Sequence, residues 1–310
     1  MHFPKLKNKL VLAPMADVSI LPFRLLCQKY GAALTYTEQL SAMAIERENP
    51  RTLKLAETSK EEKIVGLQLF GRNPKTLLKA AKKLENDFDV IDLNFGCPSK
   101  KIVVQGYGSA LLREKDRVRR IIQTLSKGLE KPVTVKMRSG FKKVEALELV
   151  KIMEEAGVAA ITIHGRTKEQ GYSGKANWDV IKQVKESVNV PVIGNGDVVN
   201  GEKAKELLDY SKCDYVMIAR AAMNNPKIFE EINCYLNHGK EKIVKKEDKV
   251  KLFLEYVNLC EKYDFINISN LRFTALNFCK GFNGSKELRV NLMKAKDKEK
   301  ITEEVEKFKD

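Results

Sequence analysis

Short apolar segments rich in valine and isoleucine alternate with longer segments of helical periodicity over the first 240 residues. Apolar runs of four to eight residues are typical of buried strands, and the intervening pattern is typical of helices that pack on a sheet. The alternation therefore predicts parallel strand–helix units. The sequence predicts eight strands, at residues 9–14, 33–38, 63–70, 89–94, 132–137, 159–164, 191–195 and 214–219.

The segments between these strands carry ordinary helix boundaries. Asn73 and Pro74 form a favourable helix start, and Gly157 follows the end of another helical segment. Eight strand–helix units in about 240 residues match the size of a (β/α)8 TIM barrel. A doubly wound open sheet has the same alternation, so periodicity by itself leaves both architectures open.

Polar residues within the strands favour the barrel. Strand side chains alternate between faces, and in four strands one face is polar while the other is aliphatic. The last polar residues of these strands are Gln68, Asn94, Lys136 and His164. Polar groups at the carboxyl ends indicate a barrel whose interior opens into a site there. Deeper polar residues are expected to be hydrogen-bonded core groups: Asp92, Thr134 and Thr162.

The pattern changes after residue 240. The charged segment KEKIVKKEDKV leads into helical periodicity with no further strand, and helices are predicted at residues 247–263, 268–280, 285–296 and 299–309. The sequence therefore predicts a barrel domain over residues 1–240 and a small all-α domain over residues 241–310.

Composition narrows the class of protein. A chain of 310 residues with 43% hydrophobic and 31% charged residues is typical of a folded globular protein. It contains no apolar run long enough for a membrane span and no signal peptide at its start, so a cytoplasmic protein is expected. Six scattered cysteines and three histidines predict neither disulfides nor a metal site. Nothing indicates an obligatory protein partner.

Positive charge is concentrated in one part of the chain. The formal net charge is +15, and residues 98–143 contain thirteen basic and three acidic residues. Abundant lysine is often only a solubility feature. Clustering favours a polyanionic partner instead, because Lys and Arg contacts with phosphates supply affinity that does not depend on sequence.

The loops after the seventh and eighth strands suit a phosphate. They read IGNGDV at 193–198 and IARAAMNNP at 218–226, with small residues whose backbone N–H groups could receive an anion. NGD is also a common turn sequence. A phosphate there would leave room over the barrel for a planar group such as flavin mononucleotide (FMN), whose reduced ring Lys136 could stabilise. A salt-bridged lysine in the barrel wall is the alternative for Lys136.

Cys97 follows the fourth strand, between Gly96 and Pro98 in DLNFGCPSKK. These neighbours predict an exposed turn at the same end of the barrel. A buried structural cysteine is the ordinary interpretation of a single thiol, and it is applied to the other five. No His or Asp base lies beside Cys97 in sequence, so a proton donor is at least as reasonable as a hydrolytic nucleophile.

With these motifs the sequence resembles the tRNA-dihydrouridine synthase family, most closely its bacterial B-type members. The motifs occur in order along nearly the whole barrel: APMA (13–16), LPFR (21–24), QLFG (68–71), DLNFGCPSKKI (92–102), GSALL (108–112), VKMRSG (135–140), TIHGRT (162–167), YSGKANW (172–178), NGD (195–197) and ARAAMNNP (219–226).

The resemblance implies an FMN-bound barrel, a helical tRNA-recognition domain and NADPH as the reductant, although no dinucleotide-binding fingerprint is visible. It implies that the following residues contact the flavin: Pro14, Met15, Ala16, Gln68, Lys136, His164, and the backbone of Asn195, Gly196 and Asp197. Ala219 and Arg220 complete the phosphate site. The family usually has glycine at the position of Ala219.

The implied reaction assigns a role to Cys97. Hydride passes from N5 of reduced flavin to C6 of a uracil, and Cys97 protonates C5 from the opposite side. Asn94 is expected to bind the base and Arg166 the nucleotide. Lys100 and the basic residues up to Lys143 are expected to contact tRNA phosphates, which would help to offset the free energy of extruding the base.

The C-terminal segment departs from the family pattern. Arg272 is a candidate RNA contact, with a surface helix residue as the equal alternative, while Thr274 and Asn277 replace an expected histidine and tryptophan.

Two other functions remain open at this point. One is a flavin-dependent dihydroorotate or dihydropyrimidine dehydrogenase acting on a free base, and the other is a non-catalytic RNA-binding protein with a decayed barrel.

Overall fold

The strands of the computed structural model, which describes residues 1–242 and 245–308, form one sheet. Their bounds are β1 Leu10–Leu12, β2 Thr35–Tyr36, β3 Leu40–Ser41, β4 Val65–Phe70, β5 Val90–Phe95, β6 Val133–Arg138, β7 Ala160–His164, β8 Val192–Asn195 and β9 Tyr215–Ile218. The eight predicted strands are confirmed to within two residues at each end. The two-residue strand β3, which pairs with the end of β4, was not predicted.

The sheet closes on itself. Its strand order is β1-β9-β8-β7-β6-β5-β4-β2, and all of these neighbours pair in parallel. The backbone N–H of Leu12 donates to the carbonyl of Leu34 at 2.9 Å, and that of Ala33 donates to Leu10 at 2.8 Å, which joins β1 to the segment entering β2. The sheet is therefore the predicted (β/α)8 TIM barrel, and the doubly wound alternative is wrong.

Helices connect the strands and cover the outside of the barrel. The helices of the described residues are α1 Leu21–Lys29, α2 Ala42–Glu46, α3 Pro50–Leu55, α4 Pro74–Leu84, α5 Lys100–Val104, α6 Lys115–Gly128, α7 Ala146–Glu155, α8 Trp178–Ser187, α9 Gly201–Ser211, α10 Arg220–Asn224, α11 Ile228–His238, α12 Lys246–Lys262, α13 Ile268–Phe278, α14 Ser285–Lys294 and α15 Lys298–Lys307. The predicted boundary signals are confirmed. Asn73 caps α4 through its side-chain oxygen, and Gly157 follows α7 with a φ of 97°.

The core has two layers. Aliphatic side chains fill the space between the sheet and the surrounding helices, and a second cluster fills the inside of the barrel around Val11, Leu34, Tyr36 and Met217. A Cβ at Gly66 would lie 2.4 Å from the Tyr36 ring, so only glycine leaves room for this ring inside the barrel. The interior of the barrel is thus filled by packed side chains and is not an open pore.

The four helices predicted after residue 240 are α12 to α15, which pack on one another and on the barrel. Lys29 forms an ion pair with Glu255 at 2.9 Å, and Asn270 Nδ2 donates to the carbonyl of Asp17 at 2.7 Å. The predicted boundary between residues 240 and 241 falls between α11 and α12, and residues 243 and 244 of the predicted linker lie outside the described residues. The division into two domains stays a prediction.

The described residues contain neither a helix suited to crossing a membrane nor a cluster of metal-binding side chains. None of their helices combines the length and the apolar composition that crossing a bilayer requires. Within the ranges 1–242 and 245–308, no three His, Cys, Asp or Glu side chains are grouped as a metal site would need. The site is therefore built from the polar residues at the open end of the barrel.

Candidate active site

The predicted polar residues gather at the carboxyl ends of neighbouring strands. The register pairs Asn94 of β5 with Lys136 of β6, and His164 of β7 with Asn195 of β8. Gln68 of β4 lies beside Asp92 of β5. Residues that are far apart in sequence therefore line one opening, which we call the barrel mouth.

Cys97 lies on a loop that is anchored from both sides. Its thiol is free and its side chain is partly exposed. Asn94 Oδ1 accepts hydrogen bonds from the backbone N–H groups of Gly96 at 3.1 Å and Cys97 at 2.9 Å. The carbonyl of Cys97 accepts from Ser109 Oγ at 2.8 Å. The turn beside the thiol is thus held by a strand residue and by the following segment.

A chain of side-chain hydrogen bonds continues from Asn94 into the barrel. Asn94 Nδ2 donates to Gln68 Oε1 at 2.8 Å and to Gln39 Oε1 at 3.0 Å. Gln68 Nε2 donates to Asp92 Oδ2 at 2.7 Å, and Thr134 Oγ1 donates to Asp92 Oδ1 at 2.6 Å. Asp92 and Thr134 are therefore hydrogen-bonded core groups, as predicted. The same prediction is wrong for Thr162, whose buried Oγ1 has no hydrogen-bond partner in the described part of the chain. Burial raises the pKa of Asp92 to about 6, against the opposing effect of these two hydrogen bonds.

Lys136 carries a charge without a partner. Burial, and then repulsion from Arg138, lower the pKa of its ammonium to about 8, against the opposing effects of Asp92 and Cys97. Among residues 1–242 and 245–308, no salt bridge involves Lys136. The alternative prediction, a salt-bridged lysine in the barrel wall, is therefore wrong. A lysine in this state is suited to a negatively charged ligand.

His164 and Arg166 lie side by side after β7. Burial, and then the cations Lys136 and Arg138, lower the pKa of His164 to about 2, so its imidazole is neutral at ordinary pH. Arg166 is only 2% exposed. Its guanidinium donates to the carbonyl of Ser173 at 3.2 Å and to Asp197 Oδ2 at 2.8 Å, and Nη1 lies 3.4 Å from His164 Nε2. Arg166 therefore holds the loop after β7 in place.

The turn after β8 has the backbone geometry that its small residues predicted. Gly196 has a φ of 127°, and a Cβ there would lie 2.6 Å from Ala176 Cβ. Asp197 has a φ of 58°, and its Oδ2 accepts from the backbone N–H of Ala176 at 2.7 Å. Asn195 Nδ2 donates to the carbonyl of Met217 at 2.8 Å, which ties the turn to β9. The result is a tight turn that is held by contacts with the loop after β7 and with β9.

The remaining predicted cofactor residues border the same mouth. Pro14 and Met15 are partly exposed and Ala16 is exposed, directly after β1. Arg220 begins α10, where its guanidinium donates to Asp197 Oδ1 at 3.3 Å. Ala219 has a φ of −120° and a ψ of −99°, so alanine in place of the expected glycine does not have to adopt a positive φ.

Three residues at the mouth were not predicted. Arg138 is 2% exposed and donates to the carbonyl of Gly96 at 3.0 Å and to that of Gly171 at 2.8 Å. It follows Lys136 by two positions, so the alternation that identified Lys136 could also have found it. The exposed ring of Tyr172 lies near the guanidinium groups of Arg138 and Arg220, at 5.5 and 5.1 Å. Tyr172 belongs to the motif YSGKANW, to which no role was assigned, and no sequence signal identified Gln39.

The basic segment of residues 98–143 does not form one continuous patch. Lys100 is exposed at the start of α5, beside the mouth, and Lys142 and Lys143 are exposed in the loop after β6. Helix α6 runs back along the barrel, so Lys127 lies towards the opposite end. Part of the charge is neutralised, because Arg117 pairs with Glu114 at 2.5 Å.

The candidate residues in the helical region are engaged with their own neighbours. Arg272 is partly buried, and its guanidinium donates to the carbonyl of Ala295. Thr274 is 7% exposed, and Asn277 Nδ2 donates to the carbonyl of Phe273 one turn earlier. Of the two departures from the family pattern, Thr274 is therefore buried, and Asn277 is hydrogen-bonded to the backbone of its own helix. RNA contact by Arg272 stays a prediction.

Solved structures share the barrel. A 2-naphthoyl-CoA reductase in complex with 2-naphthoyl-CoA superposes with a TM-score of 0.60 at 10% identity, over 76% of this chain and 50% of the other. A histamine dehydrogenase from Rhizobium sp. 4-9 superposes with a TM-score of 0.57 at 13% identity, over 82% of this chain and 49% of the other. The chain spans about half the length of each, and identities this low establish the fold alone.

Sequence comparison adds the family. The family model "Dihydrouridine synthase (Dus)" matches residues 11–310. The chain is 39% identical over 244 residues to the tRNA-dihydrouridine synthase B of Vibrio vulnificus, covering 76% of this chain and 74% of the relative. It is 40% identical over 265 residues to a probable tRNA-dihydrouridine synthase of Rickettsia bellii, covering 84% and 81%. The motifs at the barrel mouth and these matches agree, and the chain belongs to the dihydrouridine synthase family.

Proposed function

We propose that this enzyme reduces the C5–C6 double bond of specific uridines in tRNA to 5,6-dihydrouridine, with FMN as its cofactor and NADPH as the reducing co-substrate. The proposal rests on one spatial observation beyond family membership. The Cys97 loop and the unpaired Lys136 ammonium lie on adjacent strands at the same end of the barrel, with Asn94 paired to Lys136 in register. A proton donor and a cation thus border a single opening.

The residues at the mouth fit a flavin. Thr162 Oγ1 is buried without a hydrogen-bond partner in the described part of the chain, and Lys136 lacks an anion. When bound, FMN supplies the hydride that the reduction needs. The residues that would hold it are Pro14, Met15, Ala16, Gln68, Lys136, His164, Asn195, Gly196, Asp197, Ala219 and Arg220.

Cys97 supplies the proton. Its S–H bond breaks, the proton goes to C5 of the uracil, and the thiolate that remains is close enough to Lys136 for the two charges to interact. A neighbouring cation stabilises a thiolate and so favours this transfer. His164 stays neutral and can donate or accept a hydrogen bond without adding a further positive charge. The loop contacts of Asn94 and Ser109 keep the thiol in one position.

Arg166 and Asn94 were expected to contact the substrate, and these contacts remain predictions. Each would require a side chain to release protein partners, because Arg166 donates to Ser173, Gly174 and Asp197 and Asn94 bonds at both ends of its amide. We therefore assign both residues positioning roles. Arg166 holds the loop that borders the mouth, and Asn94 holds the loop that carries Cys97.

The substrate is a base within a folded RNA. The base has to leave its stack to reach Cys97, at a free-energy cost of a few kcal/mol. Lys100 and Lys101 are exposed in α5, and Lys142 and Lys143 are exposed in the loop after β6. Contacts of these lysines with phosphates at the mouth would compensate for that cost. Helices α12 to α15 pack beside this end of the barrel through α13 and the loop after β1, and we assign them to tRNA recognition.

The test uses the purified full-length protein. We expect a yellow protein whose flavin absorbance bleaches on addition of NADPH, and which forms dihydrouridine in unmodified tRNA, as detected by mass spectrometry of nucleosides. Binding of tRNA should weaken steeply as salt rises. Reduction or oxidation of free orotate without tRNA affinity would instead identify a dehydrogenase of free bases. A colourless protein that cannot be reconstituted with FMN would identify a non-catalytic RNA binder.

A further inference from the structure

Gln39 lies at the barrel mouth and has no part in the reaction described above. It follows β2, its side chain is partly exposed, and its Oε1 accepts a hydrogen bond from Asn94 Nδ2 at 3.0 Å. Asn94 Oδ1 in turn accepts from the backbone N–H of Cys97 at 2.9 Å. Gln39 is therefore two hydrogen bonds away from the residue that carries the thiol.

The orientation of the Gln39 amide is dictated from both ends of the hydrogen-bond chain. At one end, two backbone N–H groups, those of Gly96 and Cys97, require the oxygen of Asn94 to face them. The Asn94 nitrogen must then face Gln39 and Gln68, which have to offer oxygens. At the other end, the Asp92 carboxylate accepts from Gln68 Nε2, which fixes Gln68 in the same orientation. Reversing any one amide would bring donor against donor.

The Gln39 oxygen already accepts from Asn94, so the free NH2 group is the end of the amide that this orientation offers to a ligand. No hydrogen bond from Gln39 Nε2 is present among residues 1–242 and 245–308, and this nitrogen is not among the buried atoms without a partner. The Asn94 amide, by contrast, has both hydrogens and its oxygen engaged. The mouth therefore presents an N–H pair beside Cys97 that is suited to a carbonyl oxygen.

We infer that Gln39 is a specificity-determining residue that donates a hydrogen bond to O4 of the uracil. The inference rests on the proposed function and deepens it. C5 receives the proton from Cys97, and C4, which carries O4, is the ring carbon next to C5 outside the reduced bond. Cytosine carries an amino group in place of O4, so it would place donor against donor at Gln39. The fixed amide thus selects uracil.

The same contact assists the reaction. Addition of hydride to C6 moves the π electrons of the C5–C6 bond towards C5 and O4, so negative charge develops on O4. Protonation of C5 by the Cys97 S–H then restores the C4 carbonyl and completes the reduction. An N–H donor already directed at O4 stabilises that charge without reorganisation. Gln39 is therefore expected to affect turnover as well as base choice.

Two substitutions separate the two ends of the side chain. Gln39→Glu keeps the oxygen that accepts from Asn94 and replaces the mouth-facing NH2 with an acceptor oxygen. Gln39→Met keeps the volume and removes both polar ends. Gln183→Met, on the exposed surface of α8, is the matched control. Flavin content and thermal unfolding of each variant establish that the barrel is intact.

The assay compares one tRNA carrying either uridine or 4-thiouridine at a position that the wild-type protein reduces. Sulfur is a weaker hydrogen-bond acceptor than oxygen. Sulfur also changes the intrinsic rate of the reduction, but this effect cancels when the ratio of kcat/KM for uridine to kcat/KM for 4-thiouridine is compared between variant and wild type. We expect Gln39→Met to lower kcat/KM for uridine about tenfold and to reduce the preference for uridine over 4-thiouridine. Gln39→Glu should lower kcat/KM further, and Gln183→Met should leave both quantities unchanged.

A purely structural role would lower turnover of both substrates equally and leave their ratio intact. That result, or wild-type kinetics in Gln39→Glu, would overturn the inference while leaving the proposed function in place. A wild-type protein that forms no dihydrouridine in any tRNA would overturn the proposed function itself, and the role of Gln39 with it.

Discussion

Asn94 Oδ1 accepts a hydrogen bond from the backbone N–H of Cys97 at 2.9 Å. The contact joins the end of β5 to the loop that carries the thiol. The Asn94 amide that makes this contact is itself held by hydrogen bonds to Gln39 and Gln68. The position of the proton donor therefore depends on buried amides that never touch the proton. This dependence leads to the first prediction.

Asn94→Ala should release the Cys97 loop while leaving the barrel folded. We expect kcat to fall by about 10- to 100-fold, with tRNA affinity largely retained. The rate at which iodoacetamide alkylates Cys97 should change, because the loop is no longer held, and Cys97→Ala supplies the background from the other thiols. An unchanged alkylation rate would show that the Ser109 contact suffices to hold the loop.

Cys97→Ala should keep flavin and tRNA binding but lose most reduction of uridine. The substitution removes a proton donor and no binding group, so kcat should fall while the dissociation constant for tRNA stays the same. Single-turnover formation of dihydrouridine after reduction with NADPH measures the loss directly. Wild-type turnover in this variant would refute the role of the thiol.

Lys136→Met should stabilise the flavin-free protein and abolish flavin binding. The native pKa of Lys136 is about 8, below the value of 10.5 for a free lysine, mainly because of burial and then because of Arg138. At pH 7 the buried ammonium is charged and lowers the free energy of unfolding, and that penalty is relieved as the pH rises from 8 to 10.5. Removing the charge should raise the free energy of unfolding at pH 7 by about 1–3 kcal/mol.

Urea unfolding of the flavin-free proteins at pH 7 and pH 9.5 tests this prediction for Lys136. The wild-type protein should gain stability relative to the variant between these values. A variant that is less stable than wild type at pH 7 would mean that the lysine has a stabilising partner in solution. Flavin retention is read separately from the visible absorbance of the purified variant.

Arg166→Ala should destabilise the fold more than Arg220→Ala, although both arginines pair with Asp197. The Arg166 side chain is 2% exposed, whereas that of Arg220 is 56% exposed. Loss of the buried arginine removes one donor to Asp197 and the Arg166 donors to the carbonyls of Ser173 and Gly174, and we expect about 2–4 kcal/mol of destabilisation. The exposed pair should contribute less than about 1 kcal/mol. Equal effects in urea denaturation would contradict the assignment of Arg166 as the residue that holds the loop.

Charge reversal at Arg117 and Arg120 should weaken tRNA binding and lower its dependence on salt. Both lie in the first half of α6, on the side of the mouth, and each lost phosphate contact should reduce the slope of log affinity against log salt by about one unit. Lys127→Glu, further along the same helix, is the matched control, with the same change in net charge as the reversal of either arginine alone. Equal slopes for all these proteins would show that α6 faces away from the RNA.

The sequence by itself determined the elements and the end of the barrel where the site lies. Strand and helix periods are local properties, so eight strands could be located to within two residues, and alternation placed Gln68, Asn94, Lys136 and His164 on one face. The turn after β8 could be predicted because its residues are small and NGD is a common turn sequence. Closure of the sheet was favoured by the polar positions but could not be read from the period of the strands.

Only the tertiary structure decided what each polar group does. Asn94 meets Gln68 and Gln39 across 26 and 55 residues of sequence, and Gln68 meets Asp92 across 24. Arg166 was predicted from the sequence to contact the substrate, and in the fold it donates to Asp197, 31 residues away. The basic segment is spread along the barrel because α6 runs back from the mouth. A residue type limits the hydrogen bonds that a side chain can make, but the partners arrive from other strands, so their identity follows from strand order and register alone.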